Sequence, residues 1–266
     1  MRARKRFGQH FLHDPAVIAR IVAAIGLHPG DAAVEIGPGH GALTSRLLAA
    51  AGQLDAIEID HDLAASLRER FSSEPGWRLH ETDALEVDWR ALAAARGARL
   101  RVLGNLPYNI STPLLFRLLA ASDVILDMHF MLQKEVVDRI VAAPGSHAYG
   151  RLTVMLAPRV AAARVLDVGA GAFRPAPRVN SALVRMQVID EPPVWSRSPS
   201  YGEVVTAAFG QRRKTLRNAL GRHLSAAQIE SLGIDPGARA ETLAPSQFGA
   251  LAGVADTTRA DRAAIR

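Results

Sequence analysis

The sequence predicts an α/β fold, a doubly wound parallel sheet followed by a small all-helical domain. Three observations carry that expectation. Short apolar runs alternate with amphipathic segments from Ala32 to Val141, the pattern of strands joined by crossover helices. A glycine-rich turn, Gly37-Pro38-Gly39-His40-Gly41, follows the first of those runs directly. The pattern then changes after Glu191-Pro192-Pro193, a stiff polar linker, into short helical segments.

In order, Asp14 is placed to cap a helix with Pro15 at its first position and an apolar face of Val17, Ile18, Ile21, Val22 and Ile25. Ala32 to Ile36 reads as a buried strand, Leu43 to Leu48 as a helix, Leu54 to Ile59 as a second strand closed by Asp60, and Leu63 to Leu67 as another helix. Trp77 to Glu81 is a third strand, Leu100 to Leu103 a fourth that runs into Asn105, and Val124 to Leu132 a long fifth. Helices are expected around Leu114 to Leu119 and over Gln133 to Val141. Arg164 to Val168 and Ala182 to Val188 have strand character without a clear helix between them, as an antiparallel pair at a sheet edge would. Val204 to Phe209, Thr215 to Leu220, Ala226 to Leu232 and Gln247 to Ala252 read as short helices. The expected domains are therefore 1–190 with a basic N-terminal arm, 191–255 all-helical, and a disordered, alternately charged tail over 256–266.

Composition narrows the function. The 266 residues include 32 Lys and Arg against 26 Asp and Glu, a formal net charge of +6 that points to polyanionic partners. There is no cysteine, which excludes disulfides and zinc–thiolate sites and suits a reducing compartment. The basic start Met1-Arg-Ala-Arg-Lys-Arg leads into no uncharged apolar run of secretory length, and the longest apolar segments are interrupted by Arg, Asp or Gly. A cytosolic protein with no membrane partner is expected.

Glu35-x-Gly37-x-Gly39-x-Gly41 lies between a strand and a helix, where glycines allow close backbone approach to a ligand and the helix start offers unpaired N–H groups. Glu58 ends the second strand, where a carboxylate can accept both hydroxyls of a ribose. Asp83 ends the third, where it can accept an adenine amino group; its plainer reading is a helix cap for Ala84 onward. The third glycine comes one residue too early for the dinucleotide pattern, so the turn suits an adenosyl ligand, S-adenosylmethionine, better than NAD.

Asn105-Leu106-Pro107-Tyr108 follows the fourth strand. The Asn105 side-chain oxygen and the Leu106 carbonyl are two acceptors for the two hydrogens of an exocyclic amine, and Tyr108 supplies a face on which an extruded base can stack. The plainer reading is a proline turn with a packed tyrosine. In Phe173-Arg174-Pro175-Ala176-Pro177-Arg178, Phe173 is expected either to face the base opposite Tyr108 or to anchor a stiff loop in the core. The chemistry calls for no metal.

These pieces together resemble one family, the small-subunit ribosomal RNA adenine dimethyltransferases. The resemblance rests on Phe7-Gly8-Gln9-His10-Phe11-Leu12, Glu35-Ile36-Gly37-Pro38-Gly39, Gly104-Asn105-Leu106-Pro107-Tyr108-Asn109-Ile110-Ser111, Met131-Leu132-Gln133-Lys134-Glu135-Val136, Phe173-x-Pro175-x-Pro177-x-Val179-x-Ser181 and Gln211-Arg212-Arg213-Lys214-Thr215-Leu216-Arg217, in the family's order. It implies a class I, Rossmann-like S-adenosylmethionine-dependent methyltransferase domain with a small C-terminal helical domain. It implies dimethylation of N6 on two adjacent adenosines in the 3′-terminal hairpin loop of small-subunit (16S) rRNA, on an assembling 30S particle. It also implies that His10 and Leu12 line the cofactor, that Gly37 lies under its methionine part, that Glu58 takes the ribose and Asp83 the adenine, and that Asn105 sits next to the methyl. Two positions depart from the family: His10 stands where Asn is frequent, and Asn180 where Asp is common.

Arg2, Arg4, Lys5 and Arg6, with Arg212, Arg213, Lys214 and Arg217, are the candidate RNA-phosphate contacts. On a helix starting near Gln211, Arg213 and Arg217 would share a face. Arg139 and Arg151 are candidates to extend that patch. A large-subunit rRNA adenine methyltransferase would share cradle and clamp, and a ribosome-assembly factor without turnover would share the fold. A monomer is expected.

Overall fold

The computed structural model describes residues 10–107, 110–211 and 213–264, with side chains of the last helix as far as Ala260. Arg2, Arg4, Lys5, Arg6, Tyr108 and Arg212 lie outside the described residues. The chain divides into two compact units, one of residues 1–137 and 161–188, the other of 138–160 and 189–266.

The first unit is built on a seven-stranded sheet. Its strands are β2 (Ala32–Ile36), β3 (Leu54–Glu58), β4 (Trp77–Glu81), β5 (Leu100–Asn105), β6 (Ile125–Gln133), β7 (Val160–Val168) and β9 (Ser181–Val188), in the order β4-β3-β2-β5-β6-β9-β7. β2 pairs in parallel with both β3 and β5, so the strand order reverses between β2 and β5, and ligands bind outside the carboxyl ends of strands at such a switch. β6 and β9 are antiparallel, and β7 forms the edge beyond β9. A separate two-residue ribbon pairs β1 (Phe11–Leu12) with β8 (Phe173–Arg174), Leu12 opposite Phe173.

The helices begin where their caps lie. Asp14 accepts from the N–H groups of Ala16 and Val17 at the start of α1 (Pro15–Ile25), which buries Ile18, Ile21 and Ile25. α2 (Thr44–Ala51) follows the glycine turn, and Asp60 caps α3 (His61–Arg70). Asp88 caps α4 (Trp89–Arg96), a helix that the sequence reading passed over; α5 (Ser111–Leu119) and α6 (Lys134–Ile140) complete the series. Leu12, Ile21, Leu47, Leu54, Leu67, Leu103 and Phe173 belong to one apolar core.

One buried cation locks α1 to the sheet. The Arg101 guanidinium donates to both Asp127 carboxylate oxygens at 3.1 and 2.9 Å, to Asp31 at 2.7 Å, and to the carbonyls of Ile25 and Gly26, each at 2.9 Å. The last two are carbonyls at the end of α1.

In the second unit, α7 (Arg151–Leu156), α8 (Tyr201–Phe209), α9 (Leu216–Ala219), α10 (Ala226–Glu230) and α11 (Pro245–Ala264) surround a core of Tyr149, Tyr201, Val204, Leu220, Ile229, Phe248 and Leu251. Residues 138–160 fall here, on the other side of the boundary expected at 190/191. The tail expected to be disordered from 256 is helical to Ala264, tied by Arg259 to Glu203 and by Asp256 to Ser198 and Ser200. No helix begins near Gln211: Thr215 is the N-cap of α9 and Arg213 lies in the turn before it, so the shared face of Arg213 and Arg217 lapses.

Candidate active site

An open cleft lies over the carboxyl ends of β2, β3, β4 and β5. His10, Leu12, Gly37, Gly39, Glu58, Asp83, Asn105, Leu106 and Pro107 all line it. The sheet register is the reason. Glu35 and Ile36 stand beside Ala56 and Ile57, Glu58 beside Glu81, and Asn105 beside Met131, so each motif leaves its strand at the same edge.

The turn after β2 needs its glycines. Gly37, Gly39 and Gly41 have φ of 67°, 58° and 77°, in the left-handed region. A Cβ on Gly39 would stand 2.9 Å from the Phe11 ring, so the arm rests on the turn itself. At Gly104 a Cβ would fall 2.3 Å from the Ile36 carbonyl oxygen, which keeps β5 and β2 close at the switch.

The carboxylates have distinct surroundings. Glu58, 5% exposed, accepts from the Gly39 N–H at 3.2 Å and the Asp60 N–H at 3.0 Å. Burial holds its pKa above the ordinary value. Each carboxylate oxygen has a second lone pair, so capacity for a pair of hydroxyls is left. Asp83 accepts from the Leu85 N–H at 2.9 Å, which closes a turn rather than capping a helix, and it still lines the cleft. Ile59, 49% exposed, with Leu63 and Ala84 gives the cleft an apolar wall between these acids.

Asn105 is half-buried, and its Nδ2 donates to the His10 carbonyl at 2.8 Å. That bond leaves Oδ1 as the acceptor. The Leu106 N–H donates to the Met131 carbonyl at 3.2 Å, which seats Leu106 against β6. Phe173 is not brought to the cleft: at 2% exposed it packs among the core residues, paired with Leu12, and its face is unavailable to a base.

Sequence reasoning gave no role to several residues that line the cleft. Glu35 is 2% exposed, accepts from the Thr44 hydroxyl at 2.6 Å, and burial pushes its pKa up to about 7, with the nearby Glu58 adding to the rise. An acid inside an otherwise apolar strand was the signal available for it. Phe11 and His40, with ring centroids 4.3 Å apart, cover the glycine turn.

In the second unit Arg213, Lys214 and Arg217 are exposed, and Arg139, Arg151 and Lys214 line one hollow. Three cations around one depression suit a polyanion.

A largely parallel sheet with an acid-lined cleft at its switch point and an amide held beside it defines the class: a doubly wound α/β protein with its ligand site at the carboxyl ends of the strands. The comparisons give the family. Residues 1–256 match the model of the ribosomal RNA adenine dimethylase family, and the chain belongs to it. It is an rRNA adenine dimethyltransferase, with rRNA as its substrate class. Ribosomal RNA small subunit methyltransferase A of Methylococcus capsulatus is 55% identical over 92% of this chain and 95% of its own length; that of Pseudomonas aeruginosa is 51% identical over 94% of both. Among solved structures, the 23S rRNA methyltransferase ErmE superposes with a TM-score of 0.72 at 28% identity, covering 92% of this chain and 99% of its own. A dimethyladenosine transferase from Plasmodium falciparum shares the fold, with a TM-score of 0.76 at 23% identity over 91% of this chain and 96% of its own.

Proposed function

We propose that the chain dimethylates N6 of two adjacent adenosines in the 3′-terminal hairpin loop of small-subunit (16S) rRNA, with S-adenosylmethionine as methyl donor and an assembling 30S particle as substrate. The observation that carries this reading is the Asn105 amide, whose Nδ2 is committed to His10, leaving Oδ1 for a substrate amine in the cleft that Asn105 lines. The high identity to relatives named for the small subunit supports that target over the large subunit, whose methyltransferase is 28% identical.

The cleft fits the donor: two acids at strand ends for ribose and adenine, apolar lining from Ile59, Leu63 and Ala84, and a glycine turn in the same lining. His10, Leu12, Gly37, Gly39, Glu58 and Asp83 would hold it. When bound, it supplies a methyl on a sulfonium, a good leaving group.

The chain's own part is placement. The adenine N6 lone pair is delocalised into the ring and reacts poorly. Asn105 Oδ1 and the Leu106 carbonyl accept its two hydrogens and favour a more tetrahedral nitrogen, which directs the lone pair outward. Pro107 stiffens the turn and Tyr108 stacks on the extruded base. No side-chain nucleophile is needed and no metal is called for. Arg4, Lys5, Arg6, Arg212, Arg213, Lys214 and Arg217 contact phosphate, with Arg139 and Arg151 beside Lys214. We place the enzyme in the cytoplasm as a monomer.

Calorimetric titration with S-adenosylhomocysteine tests the cofactor half. Glu58→Ala and Asp83→Ala are expected to weaken binding at least tenfold, about 1.4 kcal/mol each. Wild-type affinity in both variants would refute the assignment.

A further inference from the structure

We propose that His10 is a positioning residue for the Asn105 amide, tying it to the loop after β8. This rests on the reading that Asn105 holds the target amine.

His10 stands between two polar contacts. Its Nδ1 meets the Pro175 carbonyl at 2.7 Å, and its own carbonyl accepts from Asn105 Nδ2 at 2.8 Å. A carbonyl only accepts, so Nδ1 carries the hydrogen, whether the ring is neutral or charged. The residues that follow are fixed to the same loop. Phe11 pairs with Arg174, Leu12 with Phe173, and the His13 N–H donates to the Ala172 carbonyl at 3.0 Å. Leu12 and Phe173 are buried in the core, so this ribbon is anchored at its far end. Its near end is residue 10, where the ring bond to Pro175 fixes the direction of the carbonyl.

That direction decides what Asn105 offers. An amide turned over by half a rotation would present NH2 to the NH2 of the adenine, donor against donor. With Nδ2 held by His10, Oδ1 is the end left for the amine. The loop bearing the exposed Arg174 and Arg178 thus reaches the amine clamp through one residue.

His10→Ala and His10→Asn separate the possibilities, because an asparagine amide at position 10 can donate to Pro175 from nearly the place of Nδ1 and alanine cannot. In the full chain, His10→Ala is expected to lower kcat about tenfold or more, the scale of loss from a small misplacement. Its melting temperature is expected to stay at the wild-type value, its calorimetric Kd for S-adenosylhomocysteine to rise by a smaller factor than kcat falls because His10 also lines the cofactor cleft, and His10→Asn to restore most of kcat. The side-chain amide resonance of Asn105, assigned by its loss in Asn105→Ala, is expected to shift in His10→Ala and return in His10→Asn. An unmoved Asn105 resonance, or a His10→Ala enzyme with wild-type kcat or altered only in cofactor Kd, would overturn the proposal. A wild-type protein that methylates no adenosine would instead refute the functional reading, while the resonance still decides whether His10 holds the amide.

Discussion

The Thr44 hydroxyl at the start of α2 donates to the buried Glu35 carboxyl on β2 at 2.6 Å. Burial is the dominant influence on that acid and raises its pKa from 4.5 to about 7, with the hydroxyl pulling the other way. Between those values the folded chain holds a proton that the unfolded chain has released. Stability from this group is therefore present below the unfolded value and lost as pH rises through about 7. Glu35→Gln removes the slope. Melting curves from pH 4.5 to 7.5 should show the wild type losing up to about 3 kcal/mol relative to Glu35→Gln.

His129 tilts the curve the other way. It is buried on β6, its Nδ1 has no hydrogen-bond partner, and the Asp127 carboxylate stands 3.7 Å off. Burial brings its pKa from 6.5 down to about 4; Asp127 opposes that shift while Arg101 and Arg185 add to it. The unfolded chain takes up a proton near pH 6.5 that the folded chain refuses, so stability falls as pH drops through this window. His129→Leu should flatten the acid side of the stability curve between pH 6.5 and 4, by up to about 3 kcal/mol, in the same melting series.

Arg101→Met should cost about 3–5 kcal/mol, because Asp127 and Asp31 would be left buried or half-buried without their cation. The α1 carbonyls of Ile25 and Gly26 lose their donor as well. A urea unfolding midpoint well below wild type, with unchanged slope, is the expected result.

Gly104→Ala is a steric test of the switch point. The added Cβ would sit 2.3 Å from the Ile36 carbonyl oxygen, backbone that cannot turn aside. Overpacking of this kind costs about 1–3 kcal/mol, and here it parts β5 from β2, which carry Asn105 and the glycine turn. Both the melting temperature and the methyl-transfer rate should fall, whereas Gly253→Ala, inside α11 with open space around it and no left-handed φ, should lower neither.

Much of the first unit was legible because its strands are short apolar runs with capped helices between them. Asp14, Asp60 and the glycine turn mark their boundaries in the sequence as in the structure. The helix Trp89–Arg96 escaped because its buried face is only Trp89 and Ala93, too little periodicity to register, although Asp88 was a usable cap signal. Arg151–Leu156 is six residues long and reads as part of the strand-like run that follows. The cradle and the Asn-Leu-Pro turn were legible because backbone demands and ligand chemistry fall on local residues. The pairing of Phe11 and Leu12 with Arg174 and Phe173 was not: two-residue strands have no period, and the partners Phe11 and Arg174 lie far apart in the chain. Of the two readings of Phe173, the core anchor is the one the structure bears out, and the base-facing role is overturned. Its neighbours in sequence suggest an exposed loop, and only the distant arm explains its burial. At Gln211 the basic run resembled a helix start, but Thr215 takes the cap and the cations precede the helix.

The most direct test of the central claim is where the methyl goes. The protein would be incubated with labelled S-adenosylmethionine and small ribosomal subunits from a strain lacking the modification, with large subunits in parallel, and the product mapped by mass spectrometry. The account predicts N6,N6-dimethyladenosine at two adjacent positions in the 3′-terminal hairpin loop of the small subunit, and its loss with Asn105→Ala. Label confined to the large subunit, or undiminished transfer by Asn105→Ala, would contradict it.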